Sequence, residues 1–287
     1  MTKPLITVVV PVLNRAGQIG QAIESVVRQT FGDWKLLVAD DHSQDETPAV
    51  VDQWAARDAR IALLRHEVTR GAQAARNTGI RAAETEWIAF LDSDDVYYPN
   101  SLAERLACAR TGGVEVVHSE GDVWRPGAAA PAPLKLPPFA GNCYRGLLDN
   151  FGPMFQSLLV KRAALLAIGL LDETIISNQE WDTVIRLARR CRFGYVSRPT
   201  YLYNLRRTDG YFDNWARFAA GYEQIMRKHR LAILLHGGFP MLARHYRKLM
   251  DLYYHADLEV EAHRCARRAD LLSPIMAVKR RWWPSSL

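Results

Sequence analysis

The chain is poor in the features that mark several common protein classes. Its 287 residues hold only four cysteines, Cys108, Cys143, Cys191 and Cys265, far apart and without a Cys-x-x-Cys pair. That argues against a zinc site and predicts the reduced thiols of a cytosolic protein. No run of about 18 apolar residues occurs, so no transmembrane helix is expected. The opening MTKPLITVVVPVL is apolar but short and lacks a small-residue cleavage site, which predicts a first buried strand and not a signal peptide. No Gly-x-Gly-x-x-Gly follows a strand-like run, and PVLNRAGQIG is not a glycine-rich phosphate loop. A NAD-dependent enzyme and a sugar nucleotidyltransferase are both disfavoured on that ground. The net charge of +6 is modest. It suits anionic substrates or a membrane surface and gives no reason to expect nucleic acid as a partner.

What is present is the ordinary composition of a globular protein, 48% hydrophobic and 24% charged, with a mean hydropathy of −0.17. A sizeable core is possible at this length. Short β-branched runs at 5–12, 35–39, 61–65 and 86–91 alternate with helix-like stretches at 17–30, 46–58 and 71–84. Such alternation predicts an α/β fold with a mostly parallel central sheet flanked by helices. Ligands of such sheets bind beyond the carboxyl ends of the strands. Asn14, Asp40 and Asp41, and the group Asp92, Asp94 and Asp95 all fall at those predicted ends.

Farther along, 99–111 reads as a helix and 114–120 as a strand. The segment 126–141, rich in Pro and Ala, reads as a long flexible loop, either a lid or a surface insertion. Strands are expected near 156–160, 193–197 and 200–205, with helices at 161–168 and 180–191. From about 211 the pattern becomes helical. Residues 245–274 read as two helices around a turn at Ala256–Asp257, vaguely like one tetratricopeptide unit; a single unit cannot bury its own face, so a helical hairpin packed on the main domain is expected. The division expected is a domain over 1–210 and a helical C-terminal extension over 211–287, ending in the basic and aromatic tail VKRRWWPSSL.

WIAFLDSDDVYYP crowds three carboxylates into four residues after an apolar run. Like charges this close repel unless a cation sits among them. Magnesium and manganese take oxygen ligands, often one or two carboxylates plus substrate phosphate oxygens. Asp92 and Asp94, two apart in an extended chain, point the same way. Taken alone the pair fits an acidic turn as well as a metal site.

Five ordered motifs add context. Pro11 and Asn14; Ser25 and Gln29; Asp40, Asp41, Ser43 and Asp45; Gly71, Ala75, Arg76, Asn77 and Gly79; and Leu91, Asp92, Asp94 and Asp95 follow one another over the first hundred residues. This pattern resembles family 2 of the glycosyltransferases, which have a GT-A fold; beyond residue 200 the resemblance is thin. The resemblance implies an inverting transfer of a sugar from a nucleotide-sugar donor, a UDP-sugar for preference, to a glycan or lipid-linked acceptor. It further implies Mn²⁺ or Mg²⁺ as cofactor and a role in polysaccharide or cell-envelope biosynthesis. Carried over by position, Asp40 would read the nucleobase edge, Asp92 would meet ribose or metal, and Asp94 would ligate the metal. Arg76 would approach base or diphosphate, and Pro11, Leu13 and Asn14 would line the nucleotide site. Asp41, Ser43 and Asp45 could instead shape the turn and cap the next helix, and Asp95 could organise its own turn.

Leu13 replaces a tyrosine that often stacks on the base, and His42 replaces a common glycine. In SNQEWDTVIRLARR, Glu180 stands where the resemblance puts the base for the acceptor hydroxyl, with Trp181 and Arg186 in the same helix and Asp182 as the competing candidate. An acid at a helix N-terminus can also be there for the helix dipole alone. Arg206 or Arg207, in YLYNLRRTDGYF, would neutralise leaving-group charge, with Arg207 the residue chosen. Thr208 stands where a histidine ligand is frequent, so a third protein ligand is not expected here. The tail's cations and tryptophans suit peripheral contact with an anionic membrane, on the inner face of the cytoplasmic membrane. The reading from another class is a catalytically silent nucleotide-binding scaffold in a glycan-assembly complex.

Overall fold

The computed structural model describes residues 5–205 and 214–273. Arg206, Arg207, Thr208 and the 278–287 tail therefore lie outside the described residues. The chain divides into two compact units. The first comprises Met1–Cys143, Gly152–Glu173 and Thr183–Thr208; the second comprises Tyr144–Phe151, Thr174–Asp182 and Asp209–Leu287.

The first unit begins with β1 (Ile6–Val12), α1 (Ile19–Val27), β2 (Trp34–Asp40), α2 (Thr47–Ala55), β3 (Ile61–Arg65), α3 (Ala72–Ala82) and β4 (Trp87–Phe90). These strands pair in parallel in the order β3-β2-β1-β4. All seven residues of β1 are buried, as a strand with helices on both faces must be. Pro11 fits this central strand because β4 stops pairing at Phe90, opposite Val9. Its missing N–H therefore leaves no ladder bond unmade. Val8, Val10, Leu36, Val38 and Ala89 fill one side of the core with Ile19, Ile23 and Val26 of α1.

Beyond β4 the sheet becomes mixed. β5 (Val96–Tyr97), α4 (Ser101–Gly112), β6 (Val116–Trp124), β7 (Ala132–Leu134), β8 (Leu159–Lys161), α6 (Arg162–Ala167) and β9 (Phe193–Asn204) continue this unit, α5 (Tyr144–Asp149) belonging to the other. The sheet order continues β4-β8-β6-β9-β5, with β7 on β6. The two strands expected at 193–197 and 200–205 are one. Pro199 lies where the register against β6 shifts around Glu120, and such an irregularity accommodates a residue that cannot donate. The 126–141 segment is also more ordered than its composition suggests. Ala132–Leu134 pairs with β6, and the Phe139 backbone contacts His118 Nε2 through both its N–H and its C=O.

The second unit is helical: α5 (Tyr144–Asp149), the first turn of α7 (Gln179–Ala188), α8 (Trp215–Lys228), α9 (Arg230–His255) and α10 (Glu259–Leu272). α9 kinks at Gly238, whose φ of 65° is non-helical, just before Pro240. The turn between α9 and α10 falls at Ala256–Asp257, Asp257 having φ 56°. Ala262, Cys265 and Ala269 form the buried stripe of α10. Trp181 anchors this unit's core, stacked near Tyr222 and Phe151 and donating to the Leu147 carbonyl at 2.7 Å.

Candidate active site

At the carboxyl end of β2 the acidic residues are held by their own surroundings. Asp40 is fully buried; its carboxylate accepts from the Ser43 hydroxyl and N–H, and Arg65 Nε lies 3.3 Å away. Asp41 accepts His66 Nδ1–H at 2.8 Å and the backbone N–H groups of Arg70 (2.8 Å) and Gly71 (2.7 Å). It thereby fixes the loop that enters α3. Asp45 accepts from the Thr47 N–H and hydroxyl and from the Ala16 N–H, and so anchors the start of α2. Those bonds hold the Asp45 carboxyl below the usual carboxylate range against the opposing effect of burial. Ser43 Oγ accepts the Asn14 N–H, while Asn14 Oδ1 accepts the Gln44 N–H, so the ends of β1 and β2 are stitched together. Leu13 beside them is 37% exposed.

The Ser-x-x-x-Gln motif is structural. Ser25 Oγ accepts the Tyr97 N–H, and Gln29 bonds the Tyr98 carbonyl and the Leu102 N–H, tying α1 to β5 and α4. In α3, Gly79 lies so close to β1 that a Cβ would fall 2.5 Å from Val9 Cγ1. Asn77 bonds both the N–H and C=O of Leu171 and reaches Glu173 at 2.8 Å.

At the end of β4 the arrangement differs. Arg76 is 6% exposed, and one guanidinium NH₂ reaches Asp92 Oδ1 at 2.6 Å while the other donates to Gln73 Oε1 at 2.7 Å. The guanidinium lies 4.3 Å from the Phe155 ring centroid. Asp92 remains 31% exposed at its side chain, and Asp94 is half-buried in the same turn. Asp95 is buried and accepts the Asn204 N–H at 3.0 Å, so it fixes the end of β9 to this turn.

Among the described residues no cluster of three or more His, Cys, Asp or Glu could hold a metal. Asp92 and Asp94 offer two hard oxygen-donor side chains, which fits a divalent ion completed by phosphate oxygens and does not fit an all-protein cage.

In the second unit, Glu180 is half-buried on the first turn of α7, whereas Asp182 is fully buried. Asp182 Oδ1 receives His229 Nε2–H at 2.7 Å and Lys228 Nζ at 2.8 Å. Arg186, in the first unit, donates to the carbonyls of Ile168 and Leu170 at the end of α6. Gln73, Arg65 and His66 were not among the residues singled out in the sequence. Of these only Gln73 carried a usable signal, standing one helical turn before Arg76.

Residues 7–143 match the family model described as Glycosyl transferase family 2. Over 164 residues the chain is 32% identical to the E. coli protein UDP-Glc:alpha-D-GlcNAc-diphosphoundecaprenol beta-1,3-glucosyltransferase WfgD, covering 56% of this chain and 62% of that one. It covers 29% and 31% of two further curated relatives, so it spans less than two thirds of the length of each of the three. Among solved structures, S. aureus TarS 1–349 in complex with UDP-GlcNAc superimposes with a TM-score of 0.64 at 15% identity, over 96% of this chain and 92% of that one. Mannosyltransferase PcManGT from Pyrobaculum calidifontis, in complex with GDP-Man and Mn²⁺, gives 0.61 at 17% identity, over 100% and 89%. These likenesses are of fold, and the fold is GT-A. No described helix is long and apolar enough to cross a membrane.

Proposed function

Since residues 7–143 belong to glycosyl transferase family 2, we propose that this chain is an inverting glycosyltransferase moving a hexosyl or N-acetylhexosaminyl group from a UDP-sugar to a hydroxyl of a glycan or lipid-linked acceptor. The observation that supports it most is the Arg76–Asp92 pair with Asp94 at the carboxyl end of β4, where a parallel sheet offers its ligand crevice. Asp94 and Asp92 would hold Mn²⁺ or Mg²⁺, and the ion, when bound, would offset charge on the departing diphosphate.

Asp40 is assigned to the nucleobase, a carboxylate being an acceptor for a ring N–H. Its present partners Ser43 and Arg65 already hold the carboxylate in position. Pro11, Leu13 and Asn14 complete that side of the nucleotide site, and Arg207 is assigned to the diphosphate. Glu180 is the base: it takes the acceptor proton as the hydroxyl oxygen forms its bond to the anomeric carbon. The anomeric C–O bond to the diphosphate breaks on the opposite face, its electron pair leaving with the phosphate oxygen, and the configuration inverts. Asp182 is fully buried and Glu180 only half-buried, which supports Glu180 over it.

The acceptor class rests on WfgD, whose name specifies a diphosphoundecaprenol-linked substrate. A cytoplasmic location with the 278–287 tail against anionic lipid belongs to the same reading. Loss of liposome binding on removing 279–287 is expected, and unchanged binding would refute the membrane contact.

The test of the activity is a donor screen by nucleotide release with Mn²⁺ and with Mg²⁺. UDP release from a UDP-sugar, lost on chelation, is expected. Turnover of GDP- or dTDP-sugars alone overturns the base assignment. No turnover of any donor, with nucleotide still bound, would favour the scaffold.

A further inference from the structure

Gln73 lies in the first turn of α3, one turn before Arg76, and is 4% exposed. Its side chain has a determined orientation. Arg76 offers only N–H groups, and one of them lies 2.7 Å from Gln73 Oε1. Exchanging oxygen and nitrogen would set donor against donor, so the oxygen must face Arg76. The amide nitrogen consequently faces elsewhere, and it is buried with no acceptor. Arg76 repeats the pattern: both terminal NH₂ groups are engaged, by Gln73 and Asp92, while its buried Nε–H also lacks an acceptor. Two orphaned donors thus sit in one contact chain that leads to the partly exposed Asp92. Buried donors are normally satisfied, and two unsatisfied neighbours beside an open carboxylate mark a place where an acceptor arrives with a ligand.

We propose that Gln73 is a donor-binding residue: its amide N–H meets an acceptor oxygen of the sugar nucleotide, with Arg76 Nε–H beside it. Its Oε1 meanwhile holds the guanidinium in register with Asp92. The inference rests on the glycosyltransferase reading. Phosphate, base carbonyl and sugar oxygens share this acceptor chemistry, and the choice of probes separates them. Because the amide is neutral and buried, it discriminates for an acceptor without adding charge beside Asp92.

The test is calorimetric titration of UMP, UDP and UDP-GlcNAc, with GDP in parallel, into the full chain with Mn²⁺. The proteins are wild type, Gln73→Met, which removes both functions of the amide, and Gln73→Glu, which keeps an acceptor for Arg76 but removes the donor. Both variants should weaken binding by roughly tenfold; Gln73→Glu, which keeps the acceptor, should hold its melting temperature, whereas Gln73→Met leaves a buried Arg76 NH₂ without its acceptor and should lower it. Loss already with UMP assigns the oxygen to the nucleoside monophosphate; loss appearing first with UDP or with UDP-GlcNAc assigns it to the β-phosphate or the sugar. Weakened binding by Gln73→Met alone reduces Gln73 to a support for Arg76 and overturns the contact. Affinities within twofold of wild type in both variants also overturn it, the donor site itself standing. If wild type binds neither UDP nor GDP, the donor reading fails first and this inference with it.

Discussion

Two strand ends of one sheet carry acidic clusters and treat them in opposite ways. At β2, Asp41 and Asp45, which follow the nucleobase residue Asp40, are engaged by His66, Thr47 and the N–H groups of Ala16, Arg70 and Gly71. At β4, Asp92 has one oxygen on Arg76 and a side chain still 31% exposed. A carboxylate whose acceptor sites are filled from within shapes a loop; one left partly open can take a ligand. The same chemistry in the sequence thus divides into scaffold and site through its hydrogen bonds.

The sharpest way to break this contrast is to remove one acid from each end. Asp94→Ala should lower turnover on the order of a thousandfold, at a smaller cost in stability than Asp41→Ala because Asp94 is half-buried where Asp41 is buried. Asp41→Ala should do the reverse. Three donors, two of them backbone N–H groups, lose one buried acceptor, costing about 3 kcal/mol of stability in denaturant unfolding while the folded fraction keeps its turnover. Equal losses of stability at both ends would collapse the distinction.

A similar division separates neighbours in α7. Glu180→Gln, at a half-buried position, should cut turnover by about a hundredfold to ten-thousandfold with a smaller change in melting temperature than Asp182→Asn. Asp182→Asn removes the charge that both Lys228 and His229 share in a buried position. Breaking such a cluster costs about 3 kcal/mol, to be read from chemical denaturation. A stable but inactive Asp182→Asn would instead make Asp182 the base.

As far as β4 the chain was legible because each strand there is a short apolar run and each crossover a helix of ordinary period. Neither signal depends on distant partners. β5, β7 and α5 escaped notice because two or three residues on a strand, or six on a helix, carry no period; pairing with β9 and β6 makes those strands. The two-strand reading of β9 followed from Pro199, whose disruption the bulge absorbs. In the site, residue types marked which positions carry charge but not which charges were already matched. Arg65 and His66 become visible only when the folded chain sets them against Asp40 and Asp41, whereas the helical spacing of Gln73 from Arg76 was already in the sequence.

The two compact units can also be compared through their buried histidines. His118 in the first unit and His245 in the second are each lowered to about 4 by burial, against weaker opposing bonds to the carbonyls of Phe139 and Leu148. The unfolded chain takes up these protons near the ordinary value of 6.5. Stability is therefore complete above about pH 6.5 and declines as pH falls toward 4, by about 3 kcal/mol for each histidine. Thermal unfolding across that window should show the decline. His245→Gln should flatten the part belonging to the second unit and His118→Gln that of the first, so domain-resolved hydrogen exchange distinguishes the two.

The smallest effect returns to the β2 end. His42 has φ 72°, in the left-handed region that favours glycine, and it follows the fully satisfied Asp41. A histidine in that conformation carries strain that glycine does not, while glycine has more unfolded-state freedom to lose. The two oppose each other, and strain is the larger for a residue with a Cβ held by the Asp40–Ser43 bonds on one side and the Asp41 network on the other. His42→Gly should therefore raise stability by roughly 0.5 kcal/mol, whereas His42→Val, β-branched at the same φ, should lower it by about 1–2 kcal/mol. Neither should change metal-dependent nucleotide affinity if the Asp41 side of the turn is scaffold. A shift in affinity with either variant would mean that this turn, too, adjusts when the donor binds.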